Sequence, residues 1–108
     1  MGDRKPIDDM LPWRRLVRAR RALAHAQGEL REAEQILRYR QLELFLLEQE
    51  LEEAEERADR EQVRLLRTRK EILEGTLLSL AQQRRDKALA VEECERMIYR
   101  LKAEQERN

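Results

Sequence analysis

The sequence predicts an all-α protein made of long coiled-coil helices. Leucine recurs every seven residues from Leu16 to Leu51, and a second apolar row, mostly alanine, follows three residues behind it. This spacing keeps one face of a helix turned toward a partner helix over many turns. Charged residues make up 43% of the chain and aromatic residues only 4%, a composition that fits long helices better than a globular core.

The beginning of the chain is expected to form a short flexible leader over residues 1–8, because it contains a glycine and a proline. Asp8 or Asp9 can cap a first helix, which we place at about residues 9–57. Beyond that helix start only two glycines, and no further proline past its first turn, interrupt the sequence. We therefore assign residues 9–108 to a single coiled-coil domain.

The chain is predicted to fold back as an antiparallel helical hairpin with its turn near residues 57–61. The first apolar row runs to Ala58, whereas the best row of the second half starts at Val63, a shift that matches neither a stutter nor a stammer. Asp59 can cap a second helix at about residues 60–106. The two rows then face each other, and the predicted packing seam consists of Leu16, Leu23, Leu30, Leu37, Leu44, Leu51, Leu66, Leu73, Leu80, Cys94 and Leu101.

The distribution of charge also favours the hairpin. Residues 28–61 carry five arginines against twelve acids, for a net charge of −7. Residues 1–27 carry +4 and residues 62–108 carry +3, so the total is zero. Folding back sets the acidic block beside the basic one, whereas a parallel dimer would set each acidic block beside its own copy.

Two alternatives to a central turn remain open from the sequence. One is a continuous helix in a dimeric coiled coil, because the predicted turn lacks the Gly, Pro or Asn that commonly ends a helix. Leu65 and Ile72 also continue the first leucine row straight through that turn. The other alternative is a break at Gly75, which would leave two arms of unequal length.

A basic cluster near the start of the first helix consists of Arg14, Arg15, Arg18, Arg20 and Arg21. Guanidinium groups on a helix can neutralise phosphates, so the cluster is a candidate contact for nucleic acid or another acidic surface. A basic segment ahead of leucine heptads is similar to the bZIP arrangement. Here the arginines overlap the first heptad, so we do not expect nucleic acid to be the main partner.

Several large apolar residues fall outside the seam. The candidate partner patch is Leu42, Phe45, Leu46, Ile72 and Leu78. Contiguous exposed apolar surface on a protein usually marks a binding site, and two hairpins could bury it in a four-helix bundle. We therefore predict a non-enzymatic interaction or scaffold protein that forms a homo-oligomer or docks on a protein partner.

No catalytic, metal or cofactor site is predicted. His25 and Cys94 are the only histidine and cysteine, and a two-helix rod offers them no concave pocket. The lone cysteine fits a reducing compartment, and the chain has no apolar run long enough for a membrane span and no signal-peptide pattern. These features predict a soluble, cytoplasmic protein without a transmembrane segment.

The periodicity of residues 13–106 resembles that of the stalk proteins of flagellar and type III export ATPases. Those proteins are antiparallel coiled coils. The resemblance implies, as an alternative function, a stalk-like component in an export machine of that type. It carries no site residue or cofactor over to this chain.

Overall fold

The computed structural model of the chain describes residues 12–107. Helix α1 spans Pro12–Glu56 and helix α2 spans Arg60–Arg107. The two helices run in opposite directions as a helical hairpin, which confirms the predicted fold, and the described residues contain no strand. The predicted leader and the predicted helix start at residue 9 lie outside the described residues.

Both alternatives to a central turn are wrong. Helix α1 ends at Glu56, so the chain is not one continuous helix. Gly75 lies well inside α2, and Gly28 lies inside α1. A Cβ atom built on either glycine meets no atom within 4 Å, so neither position marks a close approach of backbones.

Helix α1 ends in a Schellman motif built on an alanine. Ala58 has a φ of 55°, in the left-handed region. Its N–H donates to the carbonyl of Glu55 at 3.0 Å, and the N–H of Asp59 donates to the carbonyl of Ala54 at 3.0 Å. These bonds satisfy carbonyls that the helix end leaves without partners. The motif usually uses glycine, because an L-residue in this region costs on the order of 1–2 kcal/mol.

Asp59 also begins helix α2. Its carboxylate Oδ1 accepts a hydrogen bond from the N–H of Gln62 at 3.2 Å, and its carbonyl accepts one from the N–H of Val63 at 2.9 Å. This is the bonding of an N-cap residue and confirms the cap predicted at Asp59. Because one residue helps to close α1 and opens α2, residues 57–59 are enough to reverse the chain.

The chain divides into two compact units, which are described separately. The terminal unit comprises Met1–Leu30 and Asp86–Asn108, and the turn unit comprises Arg31–Arg85. In the terminal unit the buried core is Leu16, Ile98 and Leu101, with Ala19 and Leu23 packed against it. In the turn unit a buried cluster consists of Leu51, Ala54 and Leu66, with Leu47 and Val63 packed against it.

The predicted seam positions all lie on the packed side of their helices. The buried members are Leu16, Leu37, Leu51, Leu66, Leu73 and Leu101. The half-buried members are Leu23, Leu30, Leu44, Leu80 and Cys94. Alanine alternates with leucine on α1, and Ala54 is fully buried against α2. Small and large side chains therefore interdigitate across the seam, as coiled-coil packing requires.

Replacing Ala58 with glycine is expected to stabilise the hairpin by about 0.5–1 kcal/mol. Glycine relieves the left-handed strain, and the greater entropy of the unfolded chain offsets part of that gain. Urea unfolding followed by circular dichroism measures the change. Ala24→Gly, at an exposed position inside α1, is the matched control and should destabilise by about 1 kcal/mol. A loss of stability in both variants would contradict the strained turn.

Leu66 and its neighbour Leu65 provide a test of the seam. Leu66 is 1% exposed and Leu65 is 50% exposed. Leu66→Ala should lower the free energy of unfolding by about 2–5 kcal/mol, because it leaves a cavity between the helices. Leu65→Ala should cost well under that amount, since the side chain is already half in water. Equal losses in denaturant unfolding would be inconsistent with the hairpin, because Leu65 belongs to the seam only in a continuous helix.

Candidate interaction surface

Three basic side chains occupy seam positions of α2. Lys70 and Arg84 each lie seven residues from Leu77, and Lys87 lies seven residues after Leu80. The sequence predicts that Lys70 lies beside the glutamates of α1 when the chain folds back, and the Glu48 contact agrees with this. Arg84 and Lys87 were not predicted to contact α1, because a search for apolar rows passes over charged residues. The strict seven-residue spacing is the signal that places them in the seam.

Within the turn unit, basic residues of α2 pair with glutamates of α1. Lys70 Nζ lies 3.6 Å from Glu48 Oε2, and Arg84 Nε lies 3.6 Å from Glu34 Oε2. A longer contact of 4.0 Å joins Arg67 to Glu55. Each exposed pair contributes only about 0–1 kcal/mol. Their main effect is on register, because sliding one helix along the other would separate these charges.

In the terminal unit, Glu29 joins the two helices through Lys87. The Lys87 ammonium donates a hydrogen bond to Glu29, and this bond and the lysine charge hold the pKa of that carboxyl below its ordinary value of 4.5. Desolvation opposes the shift, and His25, which pairs with the same carboxylate, adds a smaller lowering. His25 is thus an exposed neighbour of the Glu29–Lys87 ion pair, while Cys94 is a half-buried seam thiol.

An open groove of about 510 Å³ runs between the helices of the turn unit. Its apolar lining comes from Leu46 and Leu47 on α1 and from Ile72 and Leu73 on α2. Leu73 is buried and Leu47 is half-buried, whereas Leu46 is 50% and Ile72 is 66% exposed. The groove therefore has an apolar floor that belongs to the seam and two large apolar side chains that remain in water.

Some polar side chains at the rim of this groove form hydrogen bonds within the chain. Arg40 donates two hydrogen bonds to the carboxylate of Glu43, at 2.9 and 3.1 Å. Thr76 donates its hydroxyl to the carbonyl of Ile72 at 3.1 Å. The remaining rim residues are Glu50 and Arg69, and neither forms an ion pair with another residue of the described range 12–107.

The structure splits the predicted partner patch between different faces. All five members are exposed, but only Leu46 and Ile72 line the groove. At about 100° per residue, Phe45 lies about 100° around α1 from Leu46, and Leu78 lies about 120° around α2 from Ile72. Leu42, about 40° from Leu46, flanks the groove side. The heptad positions of these residues differ, and this difference in the sequence is what predicts that they lie on different faces.

The predicted basic cluster is exposed, and its members point around the helix. Arg15 Nη1 lies 3.7 Å from Glu104 Oε2, so an acidic residue of α2 lies beside the basic cluster. Arg14 lies over the Trp13 ring at 5.8 Å from its centroid. Arg14, Arg18 and Arg21 share one outer face with i, i+4, i+7 spacing and line a shallow cleft with Trp13. Arg20 lies toward another side of α1.

Neither the rest of the described chain nor its comparison with known proteins adds a further site. Within residues 12–107, no three His, Cys, Asp or Glu side chains are grouped so that they could hold a metal ion. Neither α1 nor α2 has a stretch both long and apolar enough to cross a membrane. Comparison of the chain with protein-family models, with curated proteins and with solved structures gave no match. The geometry of the groove is therefore the main basis for inferring function.

The Glu29–Lys87 contact predicts an acid-sensitive contribution to stability. Because the pKa of Glu29 is lowered in the folded chain, its carboxylate stabilises the fold above the ordinary value of 4.5, and this contribution is lost as the pH falls through the lowered pKa. Glu29→Gln should therefore lose less thermal stability than wild type on going from about pH 6 to about pH 3. Glu32→Gln, at an exposed position of the same helix, is the control and should follow wild type. If thermal stability depends on pH in the same way in wild type and both variants, Glu29 does not contribute to the acid sensitivity of the fold.

Proposed function

We propose that this chain is a non-enzymatic coiled-coil interaction protein that binds another helical surface through the groove at Leu46 and Ile72. The observation that carries the proposal is the pair of exposed apolar side chains on either side of an apolar floor. A helix laid into such a groove buries both side chains and continues the packing of the seam. Self-association and docking on a different protein both use this surface.

Two further exposed side chains, one on each helix, lie beyond the ends of the groove. Burial of Leu46 and Ile72 contributes about 1.5–3 kcal/mol for each side chain, whereas association costs roughly 4–15 kcal/mol. Tyr39 lies seven residues before Leu46 and Leu65 lies seven residues before Ile72, so each repeats the heptad position of its groove residue. Both are exposed. A partner helix of several turns can therefore contact four large side chains.

A photo-cross-linking amino acid placed at position 46 is the direct test of the groove. We expect cross-linked products of higher mass from this variant in living cells. The matched control carries the same amino acid at position 78, because Leu78 is 75% exposed but lies on another face of the hairpin. Leu46→Glu combined with Ile72→Glu should abolish association while leaving the far-ultraviolet dichroism helical. Equal cross-linking from both positions, or association that survives the double substitution, would contradict a function of the groove.

Binding of nucleic acid or another acidic surface through the basic cluster is the second candidate. The face shared by Arg14, Arg18 and Arg21 supports it, because arginines on one face of a helix can neutralise phosphates. The Arg15–Glu104 contact weakens it by compensating part of the positive charge. The stalk-like role in an export machine is supported by the helical periodicity alone. We therefore rank both behind the groove.

A further inference from the structure

Glu50 and Arg69, the two rim residues without an ion pair to another residue of the described range 12–107, stand on opposite sides of the groove at nearly the same level. The Glu48–Lys70 ion pair sets the register of the helices in the turn unit. Moving two residues toward the turn on each helix brings Glu50 opposite residue 68. Glu50 therefore lies within one residue of the level of Arg69. In the other direction, two residues along each helix, Leu46 lies across from Ile72. The groove thus carries an acid and a base at one end and two apolar side chains at its centre.

We propose that the partner in this groove is a second copy of the chain, related by a two-fold axis that runs along the groove. This inference rests on the proposed function of the groove and specifies its occupant. The axis sets α1 of one copy against α2 of the other, with both turns at the same end. Glu50 of each copy then faces Arg69 of the other, and Leu46 of each copy faces Ile72 of the other. One surface is complementary to itself in charge and in apolar contact, which a two-fold interface requires.

The opposite orientation of the second copy is disfavoured by charge. If the copy is reversed so that its α1 packs on α1 with the Leu46 side chains opposed, Glu50 of one copy comes beside Glu43 of the other. Glu43 already accepts hydrogen bonds from Arg40, so the reversed copy offers Glu50 no basic partner of its own, whereas the proposed orientation sets Glu50 against Arg69. Both orientations give each helix antiparallel neighbours on both sides, so the helix dipoles do not distinguish them and the side-chain charges decide. The product is a four-helix bundle.

Charge-swap variants test this arrangement between chains. The wild-type chain should show the mass of a dimer in sedimentation equilibrium, with dissociation on dilution. Glu50→Arg alone and Arg69→Glu alone should each be monomeric, because each sets like charges opposite one another twice per dimer. An equimolar mixture of the two variants should restore the dimer mass, since opposite charges then face each other across both contacts between the chains. Within each variant chain, residues 50 and 69 still carry the same sign of charge. Recovery of the dimer in the mixture can therefore come only from contacts between the two chains.

Three results would overturn the proposal. The first is a wild-type chain that stays monomeric at every concentration, and the second is a mixture that remains monomeric when wild type dimerises. The third is a dimer that is insensitive to both charge-swap variants. Cross-linking from position 46 to a different protein, together with a monomeric wild-type mass, would leave the function of the groove intact and reject only the second copy. Helical dichroism of each variant confirms that the single substitutions, both on exposed side chains, leave the hairpin folded.

Discussion

Burial along a single stripe of each helix is the constraint on which the rest of this structure depends. Only eight hydrophobic residues of the described range are buried, and every one lies in the stripe where the helices meet. Apolar area removed from water contributes about 25 cal/mol for each Å², so a core this narrow gives a modest total. A slip of less than one heptad would exchange buried leucines for charged neighbours, whereas a slip of a full heptad would again set apolar rows against each other.

The charged seam positions turn this constraint into specificity. A lysine or arginine at such a position contributes less to stability than leucine, but its head group must find an acid on the facing helix. Lys70 and Arg84 find Glu48 and Glu34 in the observed antiparallel register. Polar residues at coiled-coil core positions commonly fix register and partner number at a cost in stability. Here they act together with the alternation of leucine and alanine along α1.

Much of the fold could be predicted from the residues. The heptad rows, the shift of the second row after Ala58 and the cap at Asp59 together predicted the hairpin and the position of its turn. The left-handed conformation of Ala58 could not be predicted, because alanine is the strongest helix former and the tertiary contacts override its propensity. The candidate site was predicted only in part. Exposure of the apolar residues followed from their lying off the seam, but their division between faces depends on where the second helix lies.

The three-residue turn gives the order in which contacts can form during folding. Leu51 and Leu66 are fifteen residues apart in sequence, whereas Leu16 and Leu101 are separated by eighty-five. The entropy lost on closing a chain segment grows with its length, so the pairs beside the turn form with the smallest loss. Each pair then shortens the segment that the next must close. We therefore expect helix pairing to begin beside residues 57–59 and to proceed away from the turn, and we expect the amide hydrogens farthest from the turn to exchange fastest.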